Sequence, residues 1–265
     1  MIFSPLPGEY IASAILRGNE ILGLKGVKKN EYSIKQKHTS SQRPTKDGGL
    51  IYPQFLTKQG ISIKALYEHT LYPFSAAMGA IEIFRVITPS FGWKICLQCI
   101  IDDMAEFGTA YIHSSHLIET VSRCSKHGLA LHESCPACMS PINKHSISKF
   151  TTCCDNYKVD KPELNTRLHR HAVFANDLMK YKGKPCIHAD WMIHQKMEER
   201  QLLRAGGSGN VAVLRRMTEY LGIDFTKNSS LLRSPENRLA AAYMAYDTAD
   251  AYLKEMKNLR TQKYH

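Results

Sequence analysis

Apolar and polar residues alternate along this chain in three distinct rhythms. Near the start, Ile11, Ile15 and Leu22 recur at helical spacing behind Pro5 and Pro7, which predicts an opening helix. From Lys25 to Lys46 large apolar residues thin out, and Lys25, Lys28, Lys29, Lys35, Lys37, Arg43 and Lys46 dominate. That run reads as an exposed loop or arm, of a kind that can also lie along phosphates. Apolar periodicity returns from Ile61 to Val86.

Beyond residue 160 the pattern predicts four helices joined by short loops. In the segment Glu163 to Tyr181, the residues Leu164, Leu168, Ala172, Ala175 and Met179 share one face, with Asp160 and Pro162 as start signals. A second helix is expected from Ala189 to Arg204, stopped by Gly206-Gly207. A third begins near Asn210, carries Val211, Leu214 and Leu221 on one side and ends at Gly222. Two helices joined by a glycine turn are a candidate helix-turn-helix. The last helix starts at the capping sequence Ser234-Pro235-Glu236, with Leu239, Tyr243, Tyr246, Leu253 and Met256 as one continuous stripe. No internal repeat is apparent. The expected fold class is mainly α, in three regions. These are a helical N-terminal region over 1–90, itself a candidate helix-turn-helix, a tandem zinc-finger or zinc-ribbon region over 91–157, and a C-terminal helical bundle over 158–265.

Composition narrows the functional classes. With 43% hydrophobic residues in 265, the chain can bury one sizeable core or two small ones. The start Met1-Ile2-Phe3-Ser4-Pro5 lacks the basic-then-apolar pattern of a signal peptide, and no apolar run approaches the ~20 residues of a membrane span, so a cytoplasmic location is expected. Thirty-five Lys and Arg against twenty-four Asp and Glu leave a net charge of +11, a field that attracts polyanions.

Seven of the eight cysteines fall between residues 91 and 157. Cys96-x2-Cys99, twenty-four residues, then Cys124-x2-His127 supplies four ligands in two tight pairs, a set suited to tetrahedral zinc. Cys135-Pro136-Ala137-Cys138 is followed after fourteen residues by Cys153 and Cys154. A second zinc site there needs both adjacent cysteines, or one of them with a nearby group such as His145. Four Cys/His ligands close the coordination sphere, so the metal would be structural rather than catalytic. Cys186 stands alone and reads as a small buried side chain. The histidines of Leu168 to His171 and His188 to His194 read as surface or packing residues.

Several segments resemble the TniQ/TnsD family of transposition target-selection proteins. Phe3-Ser4-Pro5-Leu6-Pro7-Gly8-Glu9 with Ser13 and Arg17 looks like the start of such proteins, as does His69-Thr70-Leu71-Tyr72-Pro73-Phe74. The most specific similarity is Cys124-Ser125-Lys126-His127-Gly128-Leu129-Ala130-Leu131 running into Cys135-Pro136-Ala137-Cys138, preceded by Cys96 and Cys99. The stretch from Trp191 through Gly206 to Tyr220-Leu221-Gly222 is similar, more weakly, to the DNA-binding helices of TnsD-like members. The resemblance implies a non-enzymatic adaptor that binds an attachment site or docks on an RNA-guided, Cascade-type CRISPR complex. It would then recruit an AAA+ ATPase that licenses the transposase, and the RNA-guided members suggest a homodimer. The family's zinc ligands map onto Cys96, Cys99, Cys124 and His127. Many relatives complete the second site with another Cys-x2-Cys pair, whereas here Cys154-Asp155-Asn156 leads to Tyr157.

If DNA is contacted directly, Arg204, Arg215, Arg216 and Lys227 are the expected phosphate-binding residues, with Arg215 and Arg216 in the third helix of the C-terminal region. Two other functions compete with the adaptor. One is a sequence-specific zinc-finger or helix-turn-helix regulator with no transposition partner. The other is a zinc-braced nuclease, for which Asp102-Asp103 with Glu106 is the compact acidic group near the cysteines.

Overall fold

A computed structural model describes residues 4–23, 63–79, 92–150, 160–183, 185–203, 209–225 and 234–262. Among these the regular structure is nine α-helices and three 3-10 turns, with isolated bridges in place of strands, so the protein is mainly α. The chain divides into two compact units, Met1–Tyr72 with Glu82–Leu164, and Pro73–Ile81 with Asn165–His265. The regions expected over 1–90 and 91–157 therefore share the first unit, apart from Pro73–Ile81.

The first unit begins with helix α1, Ile11–Ile21, and includes α2, Ile63–His69, and the start of α3, Tyr72–Ala77. Helix α4, Leu97–Phe107, follows, and then the 3-10 turns Ser114–Leu117, Ile142–Lys144 and Ile147–Lys149. Helix α1 is rotated from the stripe its apolar residues predict. It buries Ile11, Ala12, Ala14 and Leu16 together with Ser13 and Arg17, whereas Ile21 and the following Leu22 are exposed. The cause is Glu9, whose buried carboxylate accepts bonds from Arg17 Nε (3.0 Å) and Nη2 (2.8 Å), from Ser13 Oγ (3.0 Å) and from the Leu6 amide (2.8 Å). A buried charge must be paired and hydrogen-bonded, so Arg17 and Ser13 have to face inward. His69 Nδ1 lies 3.0 Å from the Glu9 carbonyl, and Ser13 Oγ accepts the Ile112 amide at 3.0 Å. At the other end of α1, Glu20 accepts Ser146 Oγ (2.8 Å) and the Ile147 amide (3.2 Å). One short helix thus joins the N-terminal segment to both sides of the cysteine-rich stretch.

The second unit contains α5, Arg167–Leu178, α6, Ala189–Glu199, α7, Gly209–Leu221, α8, Pro235–Tyr246, and α9, Ala249–Gln262. Helix α8 is central: Leu239 to Tyr246 are all buried, and the helix packs on α5, α6, α7 and α9. Helix α5 starts later than Asp160 and Pro162 suggest, because Thr166 caps it by accepting the His169 amide at 3.2 Å. Leu164 is therefore outside the helix and exposed, and His169, His171 and Phe174 take buried places beside Ala172 and Ala175. The predicted final helix is two helices. Asp247 adopts φ 58° and Thr248 Oγ1 accepts the Ala251 amide at 3.2 Å, a stop and a fresh cap that an apolar stripe does not reveal. The Ser234 cap is as expected, accepting the Asn237 amide at 3.0 Å.

Candidate metal centre

The cysteine-rich stretch repeats one turn twice. At the first, the Gly128 amide donates to the Cys124 carbonyl (2.8 Å) and the Cys124 amide to the Leu129 carbonyl (2.8 Å), with Arg123 bridged to Ala130. Eleven residues on, the Met139 amide donates to the Cys135 carbonyl (2.8 Å) and the Cys135 amide to the Ser140 carbonyl (2.8 Å), with Ser134 bridged to Pro141. The fifth residue of each turn is left-handed, Gly128 at φ 67° and Met139 at φ 60°. This repeat is invisible as sequence similarity, because only the first cysteine of each turn is shared. Backbone hydrogen bonds, not side chains, define it.

The pair Cys96 and Cys99 is built differently. Cys96 is the N-cap of α4 and Cys99 sits in its first turn, so this pair opens a helix. Reciprocal bonds between Ile95 and His132 (3.0 and 2.9 Å) bring it beside the first turn. There Cys99 Sγ lies 3.6 Å from Cys124 Sγ, and His127 Nδ1 lies 3.5, 3.4 and 3.6 Å from the sulfurs of Cys96, Cys99 and Cys124. The three cysteines are buried and His127 is half-buried. Packed this closely, the three thiols perturb one another's ionisation. Hydrogen bonding to Cys124 pushes Cys96 up to about 12 and raises Cys99 as well, while the bonds from Cys96 and Cys99 pull Cys124 down. A bound cation would let all three exist as thiolates, so this group can hold a metal ion.

The surroundings of the group are polar and ordered. Asp102, one turn beyond Cys99 on α4, accepts His127 Nε2 (3.0 Å), Lys126 Nζ and Gln98 Nε2 (3.0 Å). The Lys126 ammonium first, and then Gln98, hold the Asp102 carboxyl below the usual carboxylate range. Asp103 faces a different histidine, with His113 Nε2 at 2.9 Å. The His113 ring packs at a tilt against Tyr111 and His116, at 4.5 and 5.0 Å between centroids. His116 is fully buried beside Cys124, and that burial disfavours its charged form. Lys94, two residues before Cys96, donates to the carbonyls of Ile118 (2.9 Å), Glu119 (3.0 Å) and Val121 (2.7 Å), and burial lowers it to about 8. The sequence offers Asp102 and Asp103 only as part of a compact acidic group near the cysteines, and it does not single out Lys94 or His116. The spacing from Cys99 to Asp102 is one helical turn, the single local signal of that role.

The second group brings together Cys135, Cys138 and His145, all within ligand distance of one another, with Cys138 exposed. His145 Nδ1 lies 2.7 Å from the Ser146 carbonyl and the ring stacks on Phe150 at 4.9 Å. Donation from Nδ1 leaves Nε2 as the lone pair open to a metal. Of the ligands considered for this site, His145 is in place, and Cys153 and Cys154 lie outside the described residues. Among the described residues these are the two metal-ligating groups, and neither contains a carboxylate.

The expected DNA-contacting residues are split. Arg204 and Lys227 lie outside the described residues. Arg215 is exposed on α7, while Arg216 turns back to donate to the carbonyls of Gln201 (3.4 Å) and Leu202. The stretch 204–208 between α6 and α7, on which the candidate helix-turn-helix rests, lies outside the described residues, and α7 packs mainly on α8 and α5. No helix among the described residues is long and apolar enough to cross a membrane. Sequence comparison finds no protein family whose model matches the chain and no curated protein similar to it.

Proposed function

We propose that this chain is a zinc-stabilised, non-enzymatic target-selection adaptor for DNA transposition, which engages DNA or an RNA-guided complex and recruits an AAA+ ATPase. The observation that carries this reading is the convergence of its separated motif segments in one unit. Glu9, Ser13 and Arg17 of the first segment and His69 of the second form a single hydrogen-bonded network, and the third segment supplies Cys124 and His127. Several residues that carry the resemblance thus take part in the contacts that hold this unit together.

The metal is read as zinc from the edges of the first group. A tetrahedral ion about 2.3 Å from sulfur and about 2.0 Å from imidazole nitrogen separates two sulfurs by roughly 3.8 Å and sulfur from nitrogen by roughly 3.6 Å. The separations of 3.6 Å and of 3.4 to 3.6 Å fit that figure. Zinc bound there by Cys96, Cys99, Cys124 and His127 would supply a cross-link and no open position for chemistry. The residues of the chain do the rest: α4 presents two ligands, the turn at Cys124 presents two, and Lys94 ties down the turn at 118–121 between them. Asp102 and Asp103 serve different histidines and Glu106 is exposed, an arrangement that disfavours the nuclease reading. The net charge of +11 supports a polyanionic target.

The test is a salt-titrated binding assay of zinc-loaded protein against host genomic fragments, paired with an interaction assay using a transposition AAA+ ATPase. Capture of the ATPase supports the adaptor, and weak, sequence-blind DNA binding alongside it places target choice in an RNA-guided complex. Tight binding to one locus with no ATPase interaction would replace the adaptor with a DNA-binding regulator. Cleavage of DNA with magnesium or manganese would overturn both.

A further inference from the structure

We infer that Asp102 is the positioning residue of the first metal site, fixing His127 so that Nδ1, and not Nε2, is the ligand atom, and bracing both ligand pairs at once. The inference rests on the reading of Cys96, Cys99, Cys124 and His127 as a metal site. A neutral imidazole carries one N–H and one lone pair, and the hydrogen bond made by one nitrogen decides what the other can do. His127 Nε2 is 3.0 Å from Asp102 Oδ2, and a carboxylate accepts only, so Nε2 carries the proton. The lone pair is then on Nδ1, the atom that faces all three sulfurs at 3.4 to 3.6 Å.

The same carboxylate reaches into both ligand turns. Gln98, between Cys96 and Cys99, donates to Oδ1 at 3.0 Å, and Lys126, between Cys124 and His127, donates to Oδ2. In each pair it is the residue immediately before the second ligand that makes the contact. Asp102 is carried by α4, the helix that Cys96 caps and Cys99 begins, so the acceptor and two of the ligands ride on one rigid element. An anchor of this kind fixes ring orientation and raises ligand basicity, and loss of such a partner weakens metal affinity by roughly 10- to 100-fold. Lys126 is exposed, and its own contribution is small because surface pairs are screened.

The experiment uses the full chain loaded with zinc, and in parallel with cobalt(II), in wild type, Asp102→Asn, Asp102→Ala, Lys126→Ala and Cys124→Ser. Zinc affinity is read by competition with a chromophoric chelator, the ligand field from the cobalt absorption bands, and the coordinating nitrogen from the imidazole 15N shifts of His127. The expected result is about a 10- to 100-fold loss of affinity for Asp102→Ala, a smaller loss for Asp102→Asn and little change for Lys126→Ala. In wild type His127 should show a protonated Nε2 and metal-bound Nδ1, with a second, Nε2-bound population emerging in Asp102→Ala. Wild-type affinity in Asp102→Ala, with Nδ1 still the sole ligand, would overturn the positioning role while leaving the metal site intact. A wild-type protein that binds no more metal than Cys124→Ser would instead overturn the metal site itself, and the role of Asp102 with it.

Discussion

At the scale of single residues, the polar groups buried in the first unit do more to define it than the apolar ones. Glu9 is fully buried and Arg17 nearly so, joined at 2.8 Å, and the pair draws in Ser13, Leu6 and Ser4. Removing one charge from such a pair leaves the other uncompensated in a poorly polarisable surrounding, which costs about 3–5 kcal/mol. Glu9→Gln is therefore expected to destabilise the first unit by roughly that amount in denaturant unfolding, whereas replacing Glu9 and Arg17 together with Gln and Met should cost less. A Glu9→Gln protein as stable as wild type would show that the pair is dispensable. This role was only half legible from the sequence. Glu9, Ser13 and Arg17 stood out by resemblance, but their spacing across a proline-rich entry and a helix does not say that they meet. The clustering of Cys96, Cys99, Cys124 and His127 was legible because each pair is local, whereas Asp102 and Lys94 act on groups more than twenty residues away, with the helical-turn spacing of Asp102 from Cys99 as the one local hint.

At the scale of elements, the two eleven-residue-spaced turns are equivalent in backbone and unequal in surroundings. A Cβ at Gly128 would sit 2.9 Å from Leu164 Cδ2 and 3.1 Å from the Glu163 carbonyl carbon, in a left-handed conformation that L-residues disfavour. Met139 holds the same conformation with its side chain 72% exposed. Gly128→Ala should therefore lower the thermal midpoint, by an energy of about 1–3 kcal/mol, while Met139→Gly should be neutral or stabilising by up to ~1 kcal/mol. Equal effects at the two positions would argue against the difference in their surroundings. Helix existence was well legible here, since α1, α6 and α7 begin close to their predicted starts and Gly222 ends α7 at φ 68°. Helix limits were less so. Continuous apolar stripes ran through the Thr166 cap and the Asp247-Thr248 break, because hydrophobic periodicity reports a buried face and is blind to where a backbone N–H finds a side-chain oxygen.

For the whole molecule, the groups that could hold a metal fall unequally between the two units. Among the described residues both belong to the first, and the second is a helical cluster around α8 with none. Extracting the metal with a strong chelator should abolish hydrogen-exchange protection in α4 and the Cys124 turn and leave α8 protected, since structural zinc supplies ~10 kcal/mol or more in small modules. Loss of protection throughout, or nowhere, would contradict this division. Lys94 adds something that chelation does not touch. Its ammonium, gripped by three carbonyls of the 118–121 segment, occupies the place that a potassium or calcium ion takes in other loops. It is an ion on a covalent leash: it needs no supply from the medium, has no dissociation constant, and is present from the moment the chain is made. The segment leading to Cys124 is thus held by a cation the protein carries within itself, whether or not a metal binds beside it.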